Sequence, residues 1–280
     1  MWYYKKTSFW DGGVDLNILE SLLYGLISGF AEILPVSAAA HQGLLMRLFG
    51  VDSGPTVLNL LIRLAVLATL IYSCLPDIKQ LRGTAVRRKR IRISADSRLV
   101  RTAAVPLLLG FFLVPYVAFL GEKLPALTLT LLFNGLILYI PSRILRGNKD
   151  ARAMSGWDSL LIGLIGILGV VPGISRTGAL LSAASVRGAE RQHGLKWTFL
   201  LLIPALAVQS AMDLVAVMKE ASAASAGFLG SLLAIAGAAA GAFFGVKLLR
   251  YLAVKAGFSG FGFYCWGVAL FSFVMYLTVV

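Results

Sequence analysis

Apolar residues in this chain come in long unbroken runs, not in the alternation of a half-buried strand or the narrow stripe of a soluble helix. Six runs, at roughly 55–75, 101–120, 125–142, 197–217, 227–247 and 261–279, are each about the length of a helix that crosses a bilayer. Two further apolar regions, 15–50 and 157–187, are interrupted, and in the same way. Each carries a Gly-Leu-Ile step (Gly25-Leu26-Ile27 and Gly163-Leu164-Ile165), then a proline, then a serine two or three residues on (Pro35 and Ser37; Pro172 and Ser175). The prolines lie 137 positions apart, close to half of 280. Each region is long enough for a pair of helices that enters the membrane and returns, and awkward as a single span. Backbone that is not helical survives at membrane depth only inside protein or beside a water-filled cavity, so both breaks are expected to face the interior. A broken apolar segment repeated in both halves of a membrane protein points to a binding site.

Composition agrees with this pattern. The chain is 58% hydrophobic and 14% charged, with a mean hydropathy of +0.82; a soluble domain has about 25% charged residues. The long runs also exclude a β-barrel, whose strands alternate over about ten residues. No cleavable signal peptide is expected, because Met1-Trp2-Tyr3-Tyr4-Lys5-Lys6 is not followed by a short apolar core with a small-residue cleavage site. The net charge of +13 could suggest nucleic-acid binding, but its distribution argues for membrane topology instead. Nineteen of the 26 basic residues fall in 76–101, 143–157, 187–196 and 247–260, which places those segments in the cytoplasm. Five (Lys5, Lys6, Arg47, Lys123 and Lys219) fall outside, and Arg63 and Arg176 lie within apolar sequence. Region 15–50 then has both ends outside and region 157–187 both ends inside, each followed by three spans. The expected fold is an all-α polytopic membrane protein: six transmembrane helices plus two re-entrant helical hairpins, in inverted-topology repeats 1–142 and 143–280. The Ala/Ser run 221–226 reads as an external turn, Arg87-Arg88-Lys89-Arg90 as a topology determinant at anionic lipid heads, and Cys74 and Cys265 as small apolar residues.

Ionisable groups inside a membrane are costly and are functional candidates by default. Glu32 lies three residues before Pro35 and His41 six after it, so both are expected to face one pocket, as a carboxylate–imidazole pair suited to acid/base work. Arg176, in Pro172-Gly173-Ile174-Ser175-Arg176-Thr177-Gly178, stands where a new helix should begin. Helix N-terminal N–H groups and a forked guanidinium both suit phosphate, and the glycines would let an anion approach the backbone. Arg63 must either pair with a carboxylate such as Glu32 or bind substrate oxygens. Asp213 and Asn134 read as helix–helix hydrogen-bonding residues, and Asp158 as an acid at a helix start.

The two breaks resemble the signatures of the undecaprenyl-pyrophosphate phosphatase (bacitracin-resistance) family. That family's first motif, Glu-Gly-x-Thr-Glu-Phe-Leu-Pro-Val-Ser-Ser-Thr-Gly-His, aligns without a gap on Ser28 to His41. Its second, Pro-Gly-x-Ser-Arg-Ser-x-x-Thr, aligns on Pro172 to Leu180. The resemblance implies a bacterial cytoplasmic (inner) membrane protein whose site opens to the outer face and removes one phosphate from a polyprenyl pyrophosphate lipid. By position, Glu32 and His41 take acid/base or metal-linked roles, with Ser37 or a water as nucleophile. Ser175, Arg176, Thr177, Gly173, Ser28 and Arg63 surround the substrate. The resemblance also implies help from Mg²⁺ or Ca²⁺, with Glu32 as ligand, and is compatible with a homodimer. This chain departs from the pattern at Ser28 (family Glu), Ala38 (family Ser), Ala39-Ala40 (family Thr-Gly), Leu180 (family Thr) and Arg63 (often Gln). One carboxylate is lost and one cation gained, which keeps an anion pocket but weakens a Mg²⁺ site. Two activities stay open at this point: hydrolysis, or non-hydrolytic binding or translocation of a polyprenyl-phosphate lipid carrier.

Overall fold

The computed structural model describes residues 16–50, 56–81, 94–144, 147–219, 227–255 and 257–279. Lys5, Lys6, the Arg87–Arg90 run and the 221–226 turn lie outside them. Twelve α-helices and three short 3₁₀ turns make up nearly all of the described chain, and the single β-bridge joins Lys149 to Ala189. The protein is an all-α polytopic membrane protein. Five helices are long and apolar enough to span: Ala95–Gly121, Leu124–Pro141, Arg191–Lys219, Phe228–Lys255 and Ser259–Thr278. α3 (Thr56–Ser73) and α4 (Leu75–Leu81) meet at a 67° bend and are together long and apolar enough to count as a sixth, broken span. Pro76 at the start of α4 has no N–H to continue the ladder, and this breaks the helix.

The first broken region forms α1 (Ile18–Ile33) and α2 (Ala38–Leu48). An Asn17–Glu20 capping box starts α1, and the Leu34–Ser37 elbow separates the two helices. The second forms α8 (Gly156–Gly166), a 3₁₀ turn (Ile167–Val170) and α9 (Arg176–Val186), with an elbow at Val171–Ser175. Between the hairpins run α5 (Ala95–Leu109), the short α6 (Val114–Val117) flanked by 3₁₀ turns, and α7 (Leu124–Ile144). After them come α10 (Arg191–Lys219), α11 (Phe228–Lys255) and α12 (Ser259–Val279).

Close backbone approach positions the first hairpin. α1 lies along α11 with Gly25 and Gly29 against the backbone of Ala234 and Ala238, and Gly237 and Gly241 against that of Leu22 and Leu26. Small residues at four-residue spacing on both helices permit this approach, in a setting where van der Waals contact takes over from hydrophobic burial. α8 meets α5 in the same manner, with Gly163 against Ala103. Large apolar side chains such as Phe112, Tyr116, Phe228 and Leu270 point outward, as lipid contact requires, whereas Trp197, Tyr24 and Phe199 are fully buried.

Polar ties close the end predicted to be cytoplasmic. The Trp197 indole N–H and Lys196 Nζ both donate to Asp96, at 2.7 and 2.9 Å, and Arg250 donates to Asp77 at 3.2 Å. Asp158 caps α8 and accepts from Ser155 and from Arg187, at 2.9 and 2.7 Å. Burial alone would raise the Asp158 pKa; the Ser155 and Arg187 donors outweigh it and hold the carboxyl at about 2. Cys74 and Cys265 are buried free thiols.

Candidate functional site

The two elbows meet in the protein interior, held there by one amide. Asn134, fully buried on α7, donates to the Pro35 carbonyl of the first elbow at 3.1 Å and accepts from the Ser175 N–H of the second at 2.9 Å. Two hydroxyls cross between the hairpins: Ser175 Oγ donates to the Leu34 carbonyl and Thr177 Oγ1 to the Glu32 carbonyl, both at 3.3 Å. Each elbow ends in a serine N-cap. Ser37 Oγ accepts from the Ala40 N–H at 3.4 Å, and Ser175 Oγ from the Gly178 N–H at 3.2 Å. Ser37 pays for its position with φ of +71°, the one positive φ of a non-glycine residue among those described. Such backbone stores about 1–3 kcal/mol and persists where the surroundings enforce it, often at functional sites.

Beside the elbows lies a cavity of about 290 Å³. Its polar lining comes from Glu32 at the end of α1, Ser37, Arg63 on α3, Ser175 and Arg176 at the start of α9, and Gln209 on α10. Arg176 makes no hydrogen bond or ion pair with the described residues, and its Nε is buried without a partner. Its guanidinium lies over the Phe111 ring, 4.8 Å from the centroid, and interacts attractively with Glu32 and repulsively with Arg63. Arg63 forms an ion pair with Asp213 of α10, and Gln209, one turn before Asp213, donates to the same carboxylate at 3.4 Å. Farther along α3, Asn59 accepts from the Tyr24 hydroxyl at 2.7 Å.

The structure therefore brings Glu32, Ser37, Arg63, Ser175 and Arg176 to one cavity. It does not bring His41 there. The imidazole bridges the Ser37 carbonyl and the Tyr264 hydroxyl, each at 2.8 Å, and lines a second, larger and mostly apolar cavity with Phe30, Leu34 and Phe261. The reason is helical phase. Ala38 and Ala39 of α2 face the polar cavity, and two residues on from Ala39 an α-helix has turned through about 200°. Nor does Gly173 offer backbone to an anion. Its φ of +94° makes the turn, and a side chain there would collide with Thr130. Thr177 is spent on the Glu32 carbonyl, and Ser28 is buried outside the cavity, with its hydroxyl unpartnered. Of the two options open for Arg63, pairing is realised, but with Asp213 and not Glu32. Gln209, Phe111 and Tyr264 were not foreseen; Gln209 carries a legible signal, four residues before Asp213 on the same helix face.

The carboxylate donors do not fit a divalent metal. Among the described residues Glu32 is the only acid lining the cavity, and two guanidiniums face the same space. Among the described residues, no three His, Cys, Asp or Glu side chains converge. Mg²⁺ and Ca²⁺ are held by carboxylates and other oxygens.

Fold and cavity together define a polytopic helical membrane protein with a cationic chamber where two interrupted hairpins meet. The chain belongs to the bacitracin resistance protein BacA family, whose pattern matches residues 21–271. It is 27% identical over 252 residues to the undecaprenyl-diphosphatase of Carboxydothermus hydrogenoformans, across 90% of this chain and 94% of that protein. It is 24% identical to that of Halothermothrix orenii (93% and 98% covered) and 27% identical to undecaprenyl-diphosphatase 1 of Shouchella clausii (92% and 96%).

Proposed function

We propose that this chain hydrolyses undecaprenyl pyrophosphate to undecaprenyl phosphate and inorganic phosphate, recycling a lipid carrier of cell-wall synthesis in the bacterial cytoplasmic membrane. The observation that carries this reading is Arg176, a partly buried guanidinium whose Nε is wholly buried and which makes no ion pair among the described residues, lining a chamber it shares with Glu32 and Arg63. Leaving such a charge unpaired is costly, and a bound phosphate would pair it. The names of the relatives agree in substrate and reaction.

An oxygen nucleophile, either the Ser37 hydroxyl or a water beside it, attacks the terminal phosphorus. Glu32 takes its proton, the bridging P–O bond breaks, and undecaprenyl phosphate leaves. If Ser37 attacks, water then hydrolyses the phosphoserine. Arg176 and Arg63 stabilise charge on the phosphoryl oxygens. His41 is a positioning residue, fixing the strained Ser37 backbone through its carbonyl. We read 1–142 and 143–280 as inverted repeats, a reading supported by α1 lying on α11 as α8 lies on α5. In the topology derived from charge, Asn59 and Asp213 then lie on the outer side of the elbows.

Phosphate release from undecaprenyl pyrophosphate by the purified, detergent-solubilised protein tests this. The expected result is turnover that falls to background in Arg176→Ala. Background release by the unaltered protein would overturn the reading.

A further inference from the structure

We propose that Arg63, positioned by Asp213, does in this chain the electrostatic work of a divalent cation, so that the chamber binds and cleaves its pyrophosphate without metal. The inference rests on the phosphatase reading for its cleavage half only. Three observations carry it. First, the chamber has the wrong donors for a hard cation: one carboxylate opposite two guanidiniums. A cation entering would meet two fixed positive charges with one acid to offset them. Second, Arg63 is anchored and not free. It pairs with Asp213, on a different helix, while its Nε stays buried and without a partner. Third, the anchor serves two residues. Asp213 also holds Gln209, and Arg63 and Gln209 both line the chamber although Asp213 does not. The carboxylate therefore stands behind a preorganised row of donors, fixing it before the substrate arrives.

A pyrophosphate head group brings at least two negative charges, and Arg63 and Arg176 are the cationic side chains lining the chamber that can face them. Asp213 is then a positioning residue, acting through Arg63 and Gln209 and never touching substrate. Arg63 is a binding residue placed to touch the phosphoryl oxygens.

The test uses the full-length protein in detergent and two readouts. In the first, inorganic pyrophosphate binding is measured by thermal shift and by intrinsic tryptophan fluorescence, in EDTA. Saturable binding is expected in EDTA, weakened about tenfold or more in Arg63→Gln/Asp213→Asn, which removes both charges and leaves neither buried alone. Binding that requires added Mg²⁺ or Ca²⁺, or that the double variant leaves unchanged, overturns the proposal. In the second, lipid phosphate release is compared in EDTA and in millimolar Mg²⁺. Rates within about twofold are expected; a loss of about tenfold or more in EDTA, restored by Mg²⁺ or Ca²⁺, overturns it. If no phosphate is released in either condition, the phosphatase reading fails, and the binding readout still decides the metal question. Asp213→Asn alone separates positioning from bulk structure. It should lower kcat and weaken pyrophosphate binding, with Asp213→Glu recovering part of both. A protein that melts earlier but binds and turns over normally would refute the positioning role.

Discussion

The two elbows solve the same problem with different residues. Both must turn a helix back inside the membrane, cap the returning helix with a serine hydroxyl, and expose one charged side chain to the chamber. The second elbow puts its positive φ on Gly173, where it costs little, and gives the turn a separate residue from the cap. The first has no glycine between Leu34 and Ser37, so the unusual backbone falls on the capping serine itself, φ +71°. Strain placed on a residue that could be relieved by glycine, at a position lining the chamber, is a reason to look for chemistry at Ser37. The second elbow is built to hold Arg176; the first is built to present a hydroxyl beside Glu32.

Substitutions can break or sharpen this contrast. The largest effect is expected at the charge presented by the second elbow. Arg176→Ala should lower kcat/KM by about 10²–10³, the loss seen when a preorganised oxyanion partner is removed, while leaving the melting temperature unchanged or raised, since it breaks no hydrogen bond or ion pair among the described residues. A parallel fall in stability would show that Arg176 holds the fold. Next comes the amide that ties both elbows. Asn134→Leu removes a donor from the Pro35 carbonyl and an acceptor from the Ser175 N–H, both buried, and should cost about 2–4 kcal/mol, measured by denaturation in detergent. Ser37→Gly against Ser37→Ala separates the two meanings of the strained serine. If the hydroxyl reacts, both abolish turnover; if it only caps, glycine relieves the backbone and activity survives. The matching change at the other elbow, Ser175→Ala, should cost only about 1 kcal/mol for the lost cap. The smallest effect is expected at the end predicted to be cytoplasmic. Asp158 is depressed to about 2 when folded, against about 3.9 unfolded, so its contribution is present above pH 4 and lost as pH falls toward 2. Arg187→Gln should move that loss to higher pH, visible in melting temperature against pH.

Much of this fold was legible because the membrane imposes it. Long apolar runs set the spans, and the repeated Pro-to-Ser breaks marked both elbows within a few residues. Glu32, Ser37, Ser175 and Arg176 could be placed near one another because each sits at a break, where the backbone has one direction to face. What failed depended on facts that a single helix does not carry. His41 turned away because its phase on α2 is set by where Ser37 caps the helix. Gly173 proved to be packed on Thr130 of α7, a contact between distant segments. Arg63 found Asp213, 150 positions away, although both had been noted as polar residues in apolar spans. Two opposite charges on the same side of the midplane invited that pairing, but Glu32 was equally eligible until α3 and α10 were seen side by side.

The aromatic ring of Phe111 under Arg176 has one more consequence. A guanidinium held over a ring, its central carbon 4.8 Å from the centroid, has less room to swivel than one in open space. Lysine would keep the charge and lose both the platform and the fork. The chamber would then attract any anion but no longer favour the splayed oxygens of a phosphoryl group, so recognition here is a matter of shape as much as of sign.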